Sequence, residues 1–351
     1  MKTVWILALD GVMDSSLAIT LDALSTAETF RARNGKAGAM RVVVVSHRKA
    51  VRTGRGLRLE AGMTLRDALD SSSRPEWLVV PGLGMTSAGG VTTRFRQRDA
   101  LAAIEFLQEA KGIRRIGASC SSVFLLAEAG LLADRHATTT WWLAQEFRER
   151  YPRVKLDETR MLVRDGRFVT AGSAFAQLDL MLAIITDTMG ASIASLCARY
   201  LLIDQRPSQA RYMIPSHVRH TDATVLAAER WIDSHLGDPV TVAGLADALA
   251  ISPKTLSRRI SAATGVSPVR FLQRRRVLQA AHLIETTPMT IDAVAANVGY
   301  QDGTALRKLI KREFGMTPGA LRTLGEFEPA TAELDDLPEP RGLTTRIPRA
   351  R

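Results

Sequence analysis

The sequence contains little cysteine, few aromatic residues and no long apolar run. Two cysteines, Cys120 and Cys197, stand in 351 residues; they are too few for a disulfide framework and fit a reducing cytoplasm. Zinc-type spacings of cysteine and histidine are absent, and we expect neither a metal nor a cofactor. Because no apolar run approaches the about 18–20 residues of a membrane span, we expect a cytoplasmic protein without membrane contact.

The first apolar run of the chain is short. It ends at Asp10, and no small-residue cleavage site follows it. These two features favour a buried strand over a signal peptide.

Acidic residues are outnumbered by basic ones. Lys and Arg total 47 against 36 Asp and Glu, which gives a net charge of +11. This excess favours a polyanionic partner, because Lys and Arg displace counterions from phosphate groups. On charge alone, a basic protein that is merely soluble explains the numbers equally well.

The first 205 residues alternate strand-like and helix-like segments. Short β-branched runs predict strands at Val4–Leu9, Arg41–Ser46, Trp77–Val80, Arg115–Ala118 and Phe168–Thr170. Helical patterns follow at Ser16–Arg33, Arg96–Lys111, Ser121–Ala129, Thr140–Tyr151 and Gln177–Met189. Apolar strands in alternation with helices predict a doubly wound α/β domain whose mainly parallel sheet is covered on both faces.

The remainder of the chain has a different composition. Residues 206–221 are polar and predict a linker. Residues 222–324 are helical in pattern, with helices predicted at Val225–Leu236 and Pro268–Glu285. Residues 325–351 are rich in proline and charge, which predicts disorder. A chain of 351 residues is long enough for two folded domains of this kind.

Two stretches of the helical block repeat one pattern. The first runs over residues 245–260 and closes on residues 265–268 (GVSP), and the second runs over residues 294–310 and closes on residues 315–318 (GMTP). The offset is 49 residues before the turn and 50 after it. A short apolar helix, a tight turn and a second helix with outward basic residues predict an all-α domain with two helix-turn-helix units.

Helical spacing separates inward from outward positions on the second helix of each unit. Leu256 and Ile260 face the core in the first unit, and Leu306 and Ile310 do so in the second. The outward positions that we expect to contact DNA are Lys254, Ser257, Arg258, Thr304, Arg307, Lys308 and Lys311. Arg258 suits guanine O6 and N7, although a solvated charged face is the ordinary fate of a lone arginine.

Two further features of this block bear on DNA contact. Gly303 removes a side chain where the first unit has Pro253-Lys254, which predicts weaker base reading by the second unit. The run Arg274–Arg276 on the connecting helix suits phosphate contact or simple solubility.

Over about a hundred residues, this half of the chain resembles the AraC-type helix-turn-helix transcription regulators. The matching motifs are residues 245–246 (LA), 252–253 (SP), 256–259 (LSRR), 265–268 (GVSP), 298–300 (VGY) and 315–318 (GMTP). The resemblance implies two recognition helices in adjacent major grooves, double-stranded promoter DNA as the partner, and contact with RNA polymerase.

Cys120 lies in a strand–turn–helix segment. The arrangement is typical of a nucleophile elbow, in which the reactive side chain stands at a sharp turn. The helix that follows is expected to lower the pKa of the Cys120 thiol through its dipole. The backbone amides of residues 81–84 (PGLG), which follow another strand, could face Cys120 like an oxyanion hole.

Residues 1–205 resemble the DJ-1/PfpI group of the class I glutamine amidotransferase-like superfamily, which has a flavodoxin-like fold. The matching motifs are residues 81–82 (PG), 117–120 (GASC), 127–132 (AEAGLL), 137–141 (ATTTW) and 171–173 (AGS). Placed ahead of an AraC-type module, such a domain resembles the sensor half of a known class of regulators.

Two of the three chemical parts of a cysteine hydrolase are missing at their expected places. The histidine of the group falls at Thr140 and its acidic residue near Ser16, while His136 and Asp14 stand at shifted positions. We therefore expect no enzyme activity. The remaining explanations for Cys120 are contact with a small ligand, redox sensing and plain inheritance, and ordinary burial explains it as well as ligand contact does. The residues of the candidate ligand pocket are Ser16, Gly82, Leu83, Cys120, Ser121 and Thr140.

The combined prediction is a sequence-specific transcription regulator. Its first domain would sense a small-molecule effector and form a homodimer, and its second would bind a promoter. One alternative is a cysteine-dependent amidase or hydrolase that also binds DNA. The other is a basic protein that coats DNA without sequence preference, for which a steep salt dependence is typical.

Overall fold

The computed structural model describes residues 2–33, 39–85, 88–204, 206, 208–213, 222–238 and 240–325. Residues 326–351 of the predicted tail, and residues 207 and 214–221 of the predicted linker, lie outside the described residues. Among the helices that are described, none combines the length and the apolar character that crossing a membrane requires.

The first domain alternates strands and helices. Its strands are β1 (Lys2–Leu7), β2 (Met40–Ser46), β3 (Ala50–Arg52), β4 (Arg58–Glu60), β5 (Met63–Thr64), β6 (Trp77–Val80), β7 (Arg115–Ser119), β8 (His136–Ala137), β9 (Lys155–Leu156), β10 (Leu162–Asp165) and β11 (Phe168–Ala171). Its helices are α1 (Asp14–Arg33), α2 (Leu65–Asp70), α3 (Ala88–Phe95), α4 (Arg98–Glu109), α5 (Val123–Glu128), α6 (Ala144–Arg150), α7 (Gln177–Met189) and α8 (Ala191–Tyr200).

Seven of these strands form one twisted sheet in the order β10-β11-β7-β6-β1-β2-β5. All neighbours in it run parallel except β10 and β11, which are antiparallel. The predicted doubly wound and mainly parallel sheet is thereby confirmed. The carboxyl ends of β6 and β7 lie side by side, and this register brings residues 81–84 next to Cys120.

Side chains of the central strands alternate between two apolar layers. On β1, Val4 and Ile6 enter the layer formed with α1 and α7, whereas Trp5 and Leu7 enter the layer formed with α4 and α5. Burial on both faces explains why these strands read as continuous apolar runs. Cys197, on α8, is fully buried in the same layer as Val4 and Ile6.

Several elements depart from the sequence-based expectation. The predicted Arg96–Lys111 helix begins later, because Gln97 is extended and separates α3 from α4. The helices predicted for this domain end at Met189, whereas α8 follows in the structure, separated from α7 by Gly190 at φ +94°. The hairpin of β3 and β4 is also absent from the predicted elements, since three-residue strands are too short to show alternation.

The second domain is entirely helical in its described part. Its helices are α9 (Ala223–Ser234), α10 (Val242–Ala248), α11 (Pro253–Thr264), α12 (Pro268–Thr286), α13 (Ile291–Asn297), α14 (Gly303–Phe314) and α15 (Pro318–Gly325). We call α10 with α11 the first reading unit and α13 with α14 the second. Each unit has its own apolar cluster, and α12 contributes to both, with Phe271 in the first and Val277 in the second.

The described residues of the predicted linker are anchored to the α/β domain, whereas their polar composition would suggest that they face water. Ser208, Gln209 and Ala210 are buried, and a 3₁₀ turn covers Ala210–Tyr212. Arg206 donates from Nη2 to Asp179 Oδ2 at 2.6 Å, which fastens the start of this segment to α7. Polar composition indicates a linker only when the polar groups face water, and here they find partners in the α/β domain.

Candidate nucleic-acid interface and cysteine turn

Both reading units start and end their second helix in the same way. Ser252 accepts a hydrogen bond from Thr255 N at 3.1 Å, and Asp302 accepts from Thr304 N at 2.7 Å. Gly265 and Gly315 end the two helices in the left-handed conformation, at φ 70° and 73°. Caps of this kind satisfy backbone groups that a helix leaves unpaired at its ends. The repeat seen in the sequence is therefore a repeat of structure.

The inward and outward faces of α11 and α14 are as the periodicity predicts. Leu256, Ile260, Leu306 and Ile310 are each 0% exposed. Six of the seven candidate DNA contacts are exposed, and Ser257 is half-buried: the exposed ones are Lys254, Arg258, Thr304, Arg307, Lys308 and Lys311. Among the described residues, no hydrogen bond or ion pair engages the side chain of Arg258. A phosphate or a base edge could meet it without displacing a partner.

The structure explains why residue 303 is a glycine, which the sequence alone does not. Its amide donates to Asp292 Oδ1 at 2.9 Å, and a Cβ at Gly303 would lie 2.4 Å from that same oxygen. Asp292, in the first turn of α13, thus ties the two helices of the second reading unit together. Only glycine leaves room for this contact, so the missing side chain belongs to the packing of the unit.

The run Arg274–Arg276 serves neither phosphate contact nor solubility in this structure. Arg275 pairs with Asp233, and Arg276 donates to the carbonyl of Asp238 at 2.6 Å. Arg274 donates to Glu158 Oε1 of the α/β domain at 2.8 Å. All three guanidiniums are paired with internal partners, so the expectation of phosphate contact or simple solubility for this run is wrong.

Glu158 links the two domains. Its carboxylate also accepts a hydrogen bond from Arg148 on α6, and its side chain is only 8% exposed. Burial by itself would raise the pKa of Glu158, but the two guanidiniums outweigh burial and lower it to about 2. Arg148 also reaches the end of α11, where a Cβ at Gly265 would lie 2.9 Å from its Nε. The charged contact therefore holds α12 against the α/β domain, and Arg148 lies against the end of α11.

Apolar side chains hold the second reading unit against the α/β domain. Trp141, Ala210 and Met213 belong to the same buried cluster as Leu306 and Phe314. Trp141 follows the residues that surround Cys120, and Ala210 and Met213 belong to the linker. Both reading units thus contact the rest of the chain through separate sets of residues.

Cys120 stands at a sharp turn between β7 and α5, as predicted. Its φ is +55°, in the left-handed region that residues other than glycine rarely adopt. The Cys120 amide donates to Gly172 O at 2.6 Å, and its carbonyl accepts from Thr139 Oγ1 at 2.7 Å. These hydrogen bonds fix a strained conformation, a property often found at functional positions.

The six candidate pocket residues lie together around this turn. Gly82 N donates to Ser16 Oγ at 2.8 Å, and Ser121 Oγ donates to Leu83 O at 2.5 Å. A Cβ at Gly82 would lie 3.1 Å from the Cβ of Cys120. All six residues are buried, and Cys120 is 2% exposed.

The surroundings of the thiol do not activate it. Burial raises the pKa of Cys120, and hydrogen bonds with Ser121 and Thr140 only partly oppose this. The predicted lowering by the helix dipole is wrong, because the loss of solvation outweighs it. The Gly82 amide, expected to face the cysteine, is already paired with Ser16.

The titratable residues that stand nearest in sequence to the expected catalytic positions point elsewhere. Asp14 accepts hydrogen bonds from Thr53 Oγ1 at 2.6 Å and from Arg55 N at 3.0 Å. The side chain of His136 is 62% exposed and pairs with Asp165. Neither residue is placed to take a proton from Cys120.

Sequence reasoning missed one cluster of potential metal ligands. Ligand atoms of Asp10, His47 and Asp99 lie within 4.8 Å of one another at the carboxyl ends of β1 and β2. Arg48 pairs with Asp10 at 2.6 Å, and Arg94 pairs with Asp99 at 2.6 Å. Two guanidiniums already neutralise the carboxylates, so the cluster is an ion-pair network.

Comparison with known proteins identifies both halves of the chain. Residues 2–187 match the model of the DJ-1/PfpI family, and residues 245–323 match a helix-turn-helix domain. The HTH-type transcriptional regulator GlxA of Rhizobium meliloti is 28% identical over 59% of this chain and 65% of its own length. The HTH-type transcriptional activator RhaS of Escherichia fergusonii is 32% identical over 29% of this chain and 37% of its own length. Drosophila melanogaster DJ-1beta covers 58% of this chain and 99% of its own, with 19% identity and a TM-score of 0.46.

The matches to the two family models confirm the resemblances inferred from the motifs. The chain spans less than two thirds of the length of the regulators it matches. The DJ-1/PfpI model covers more than half of the chain, and the helix-turn-helix match begins behind it. The chain therefore belongs to the DJ-1/PfpI family and carries a helix-turn-helix domain after its α/β domain.

Proposed function

We propose that this protein is a sequence-specific, DNA-binding transcription regulator. One observation carries the proposal: α11 and α14 repeat the same caps and the same buried face, and each leaves a basic face exposed. Recognition helices of helix-turn-helix proteins enter the major groove with such a face. Relatives of this chain are named HTH-type transcriptional regulators, which supports the same function.

The proposed division of labour follows the domain limits drawn from the sequence. Residues 1–205 would sense an effector and mediate dimer formation, residues 206–221 would connect, and residues 222–324 would bind DNA. The dimer proposal draws support from α8, where Leu196 and Tyr200, one helical turn apart, are 40% and 71% exposed. Contact with RNA polymerase and a cytoplasmic location complete the proposal.

We propose the Cys120 turn as the effector site, without catalysis. Ser119 Oγ and Thr140 Oγ1 are buried beside Cys120; Ser119 Oγ has no hydrogen-bond partner among the described residues, and Thr140 Oγ1 has none there besides the Cys120 thiol. Unpaired buried hydroxyls are costly, so a polar group of a ligand would stabilise the turn by pairing with them. A hydrolytic role lacks support, because no described base or acid faces the thiol and burial disfavours the thiolate.

Arg258→Ala tests whether α11 reads bases. We expect the free energy of binding to the preferred duplex to weaken by about 1–3 kcal/mol, with relaxed preference at one base pair. Arg259→Ala is the matched control on the same helix, because Arg259 already donates to Thr224 Oγ1 at 2.8 Å. Titration of preferred and scrambled duplexes measures both quantities. An equal loss on the two duplexes would reduce Arg258 to a phosphate contact.

A further inference from the structure

Gln209 is a linker residue that is inserted into the α/β domain. It is 1% exposed, and its amide group lies between the two segments that hold the Cys120 turn. On one side, Nε2 donates to the carbonyl of Thr139 at 2.9 Å. On the other, Oε1 accepts from the backbone N of Ser173 at 3.0 Å and from its hydroxyl at 2.9 Å.

Both of these segments contact Cys120 directly. The hydroxyl of Thr139 donates to the Cys120 carbonyl at 2.7 Å, and the Cys120 amide donates to the carbonyl of Gly172 at 2.6 Å. A Cβ at Gly172 would lie 2.4 Å from Gln209 Oε1, so residue 172 must be glycine for the amide to fit. The turn and the linker therefore share one buried hydrogen-bond network.

The residues that follow Gln209 contact the second reading unit. Ala210 and Met213 are buried in the cluster that contains Leu306, Ile310 and Phe314. A shift of Gln209 would therefore move the support on which α14 rests.

We propose that Gln209 is a positioning residue that couples the Cys120 turn to the second reading unit. Displacement of the turn shifts Thr139 and Gly172, releases the Gln209 amide and loosens Ala210 and Met213 from the cluster under α14. As an account of DNA recognition this rests on the proposed regulator function, whereas the coupling itself is a property of the folded chain. Two sites are coupled through a residue when a change at one site affects the other only while that residue is intact.

A double-mutant cycle provides that demonstration. Gly82→Ala presses on the turn at Cys120 itself, because its new Cβ would lie 3.1 Å from that of Cys120. The cycle combines Gly82→Ala with Gln209→Ala. Ser208→Ala is the matched control, since Ser208 Oγ donates to Thr159 O at 2.9 Å and accepts from Ala210 N at 3.1 Å, side-chain contacts that hold the linker and do not involve the Cys120 turn.

The first readout is hydrogen exchange of the backbone amides of Tyr212 and α14, without DNA; Ala210 is left out because Ser208→Ala removes the acceptor of its amide. We expect Gly82→Ala to accelerate this exchange at least about fivefold in the parent and in Ser208→Ala, a size typical of coupled sites. In Gln209→Ala the same change should have less than about a twofold effect. Gly172→Ala should resemble Gln209→Ala, because it displaces only the end of a flexible side chain.

The coupling is overturned if Gly82→Ala leaves exchange in α14 unchanged, or if its effect persists in Gln209→Ala. Should Gly82→Ala fail to fold, Thr139→Val replaces it, since it removes the hydrogen bond to the Cys120 carbonyl, and the same outcomes decide.

The second readout is the Kd for a duplex selected from a random pool. We expect Gly82→Ala to change this Kd at least about fivefold in the parent and in Ser208→Ala, and less than about twofold in Gln209→Ala. If exchange shows the coupling and no duplex is bound, the coupling stands and the regulator function fails.

Discussion

Replacing Glu158 by glutamine should separate the helical domain from the α/β domain. The change leaves Arg148 and Arg274, whose side chains are 11% and 15% exposed, without their shared carboxylate. Breaking a buried ion pair from one side costs about 3–5 kcal/mol, because the remaining charge stays buried and uncompensated. Urea unfolding followed by tryptophan fluorescence measures the loss, since Trp141 lies at the domain contact.

The control for this change is Glu60→Gln. Glu60 pairs with Arg58 on the surface, where the two side chains are 70% and 68% exposed. Exposed pairs contribute below about 1 kcal/mol, so this variant should unfold almost as the parent does. Equal unfolding of the two variants would show that the Glu158 contact does not hold the domains together.

The same contact predicts an acid-sensitive domain interface. The pKa of Glu158 is about 2 in the folded protein against an ordinary value of 4.5. A lowered pKa means that the stabilisation is present above about pH 4.5 and is lost as the pH falls toward 2. The loss amounts to roughly 3 kcal/mol in the parent and should be absent in Glu158→Gln.

Leu256→Ala should unfold the first reading unit and spare the second. Leu256 is 0% exposed and packs with Ile260 and Phe271 in a cluster separate from that of the second unit. Removing a buried leucine side chain costs about 2–5 kcal/mol through lost burial and the cavity that remains. Hydrogen exchange should rise throughout α10 and α11, while α13 and α14 keep the protection they have in the parent.

Val269→Ala is the control for this prediction. Val269 is an apolar residue at the start of α12, and it is 56% exposed. Its truncation should change stability by less than about 0.5 kcal/mol. If Leu256→Ala behaved like this control, the apolar face assigned to α11 would be wrong.

Local patterns in the sequence predict most of the two domains. The 3.6-residue spacing of Leu256 and Ile260 predicts which face of α11 is buried. The helix α7 has the limits that its apolar pattern predicts, Gln177–Met189. These features depend on neighbours in the chain, so a single sequence contains them.

Contacts between distant residues are what the sequence does not reveal. Glu158 and Arg274 are 116 positions apart, and nothing local distinguishes this arginine from Arg275 beside it. Gln209 looks like any residue of a polar linker, although it is buried. The pKa of Cys120 was predicted in the wrong direction because the helix dipole can be inferred from the sequence, whereas complete burial of the thiol cannot.

Selection of duplexes from a random pool at about 0.15 M salt tests the central claim most directly. We predict enrichment of a sequence with two half-sites whose centres are about 10 base pairs apart, since α11 and α14 are proposed to enter consecutive major grooves. Footprinting should show protection on one face of that duplex. Recovery of no sequence above the input pool, with binding that vanishes steeply as salt rises, would contradict the account.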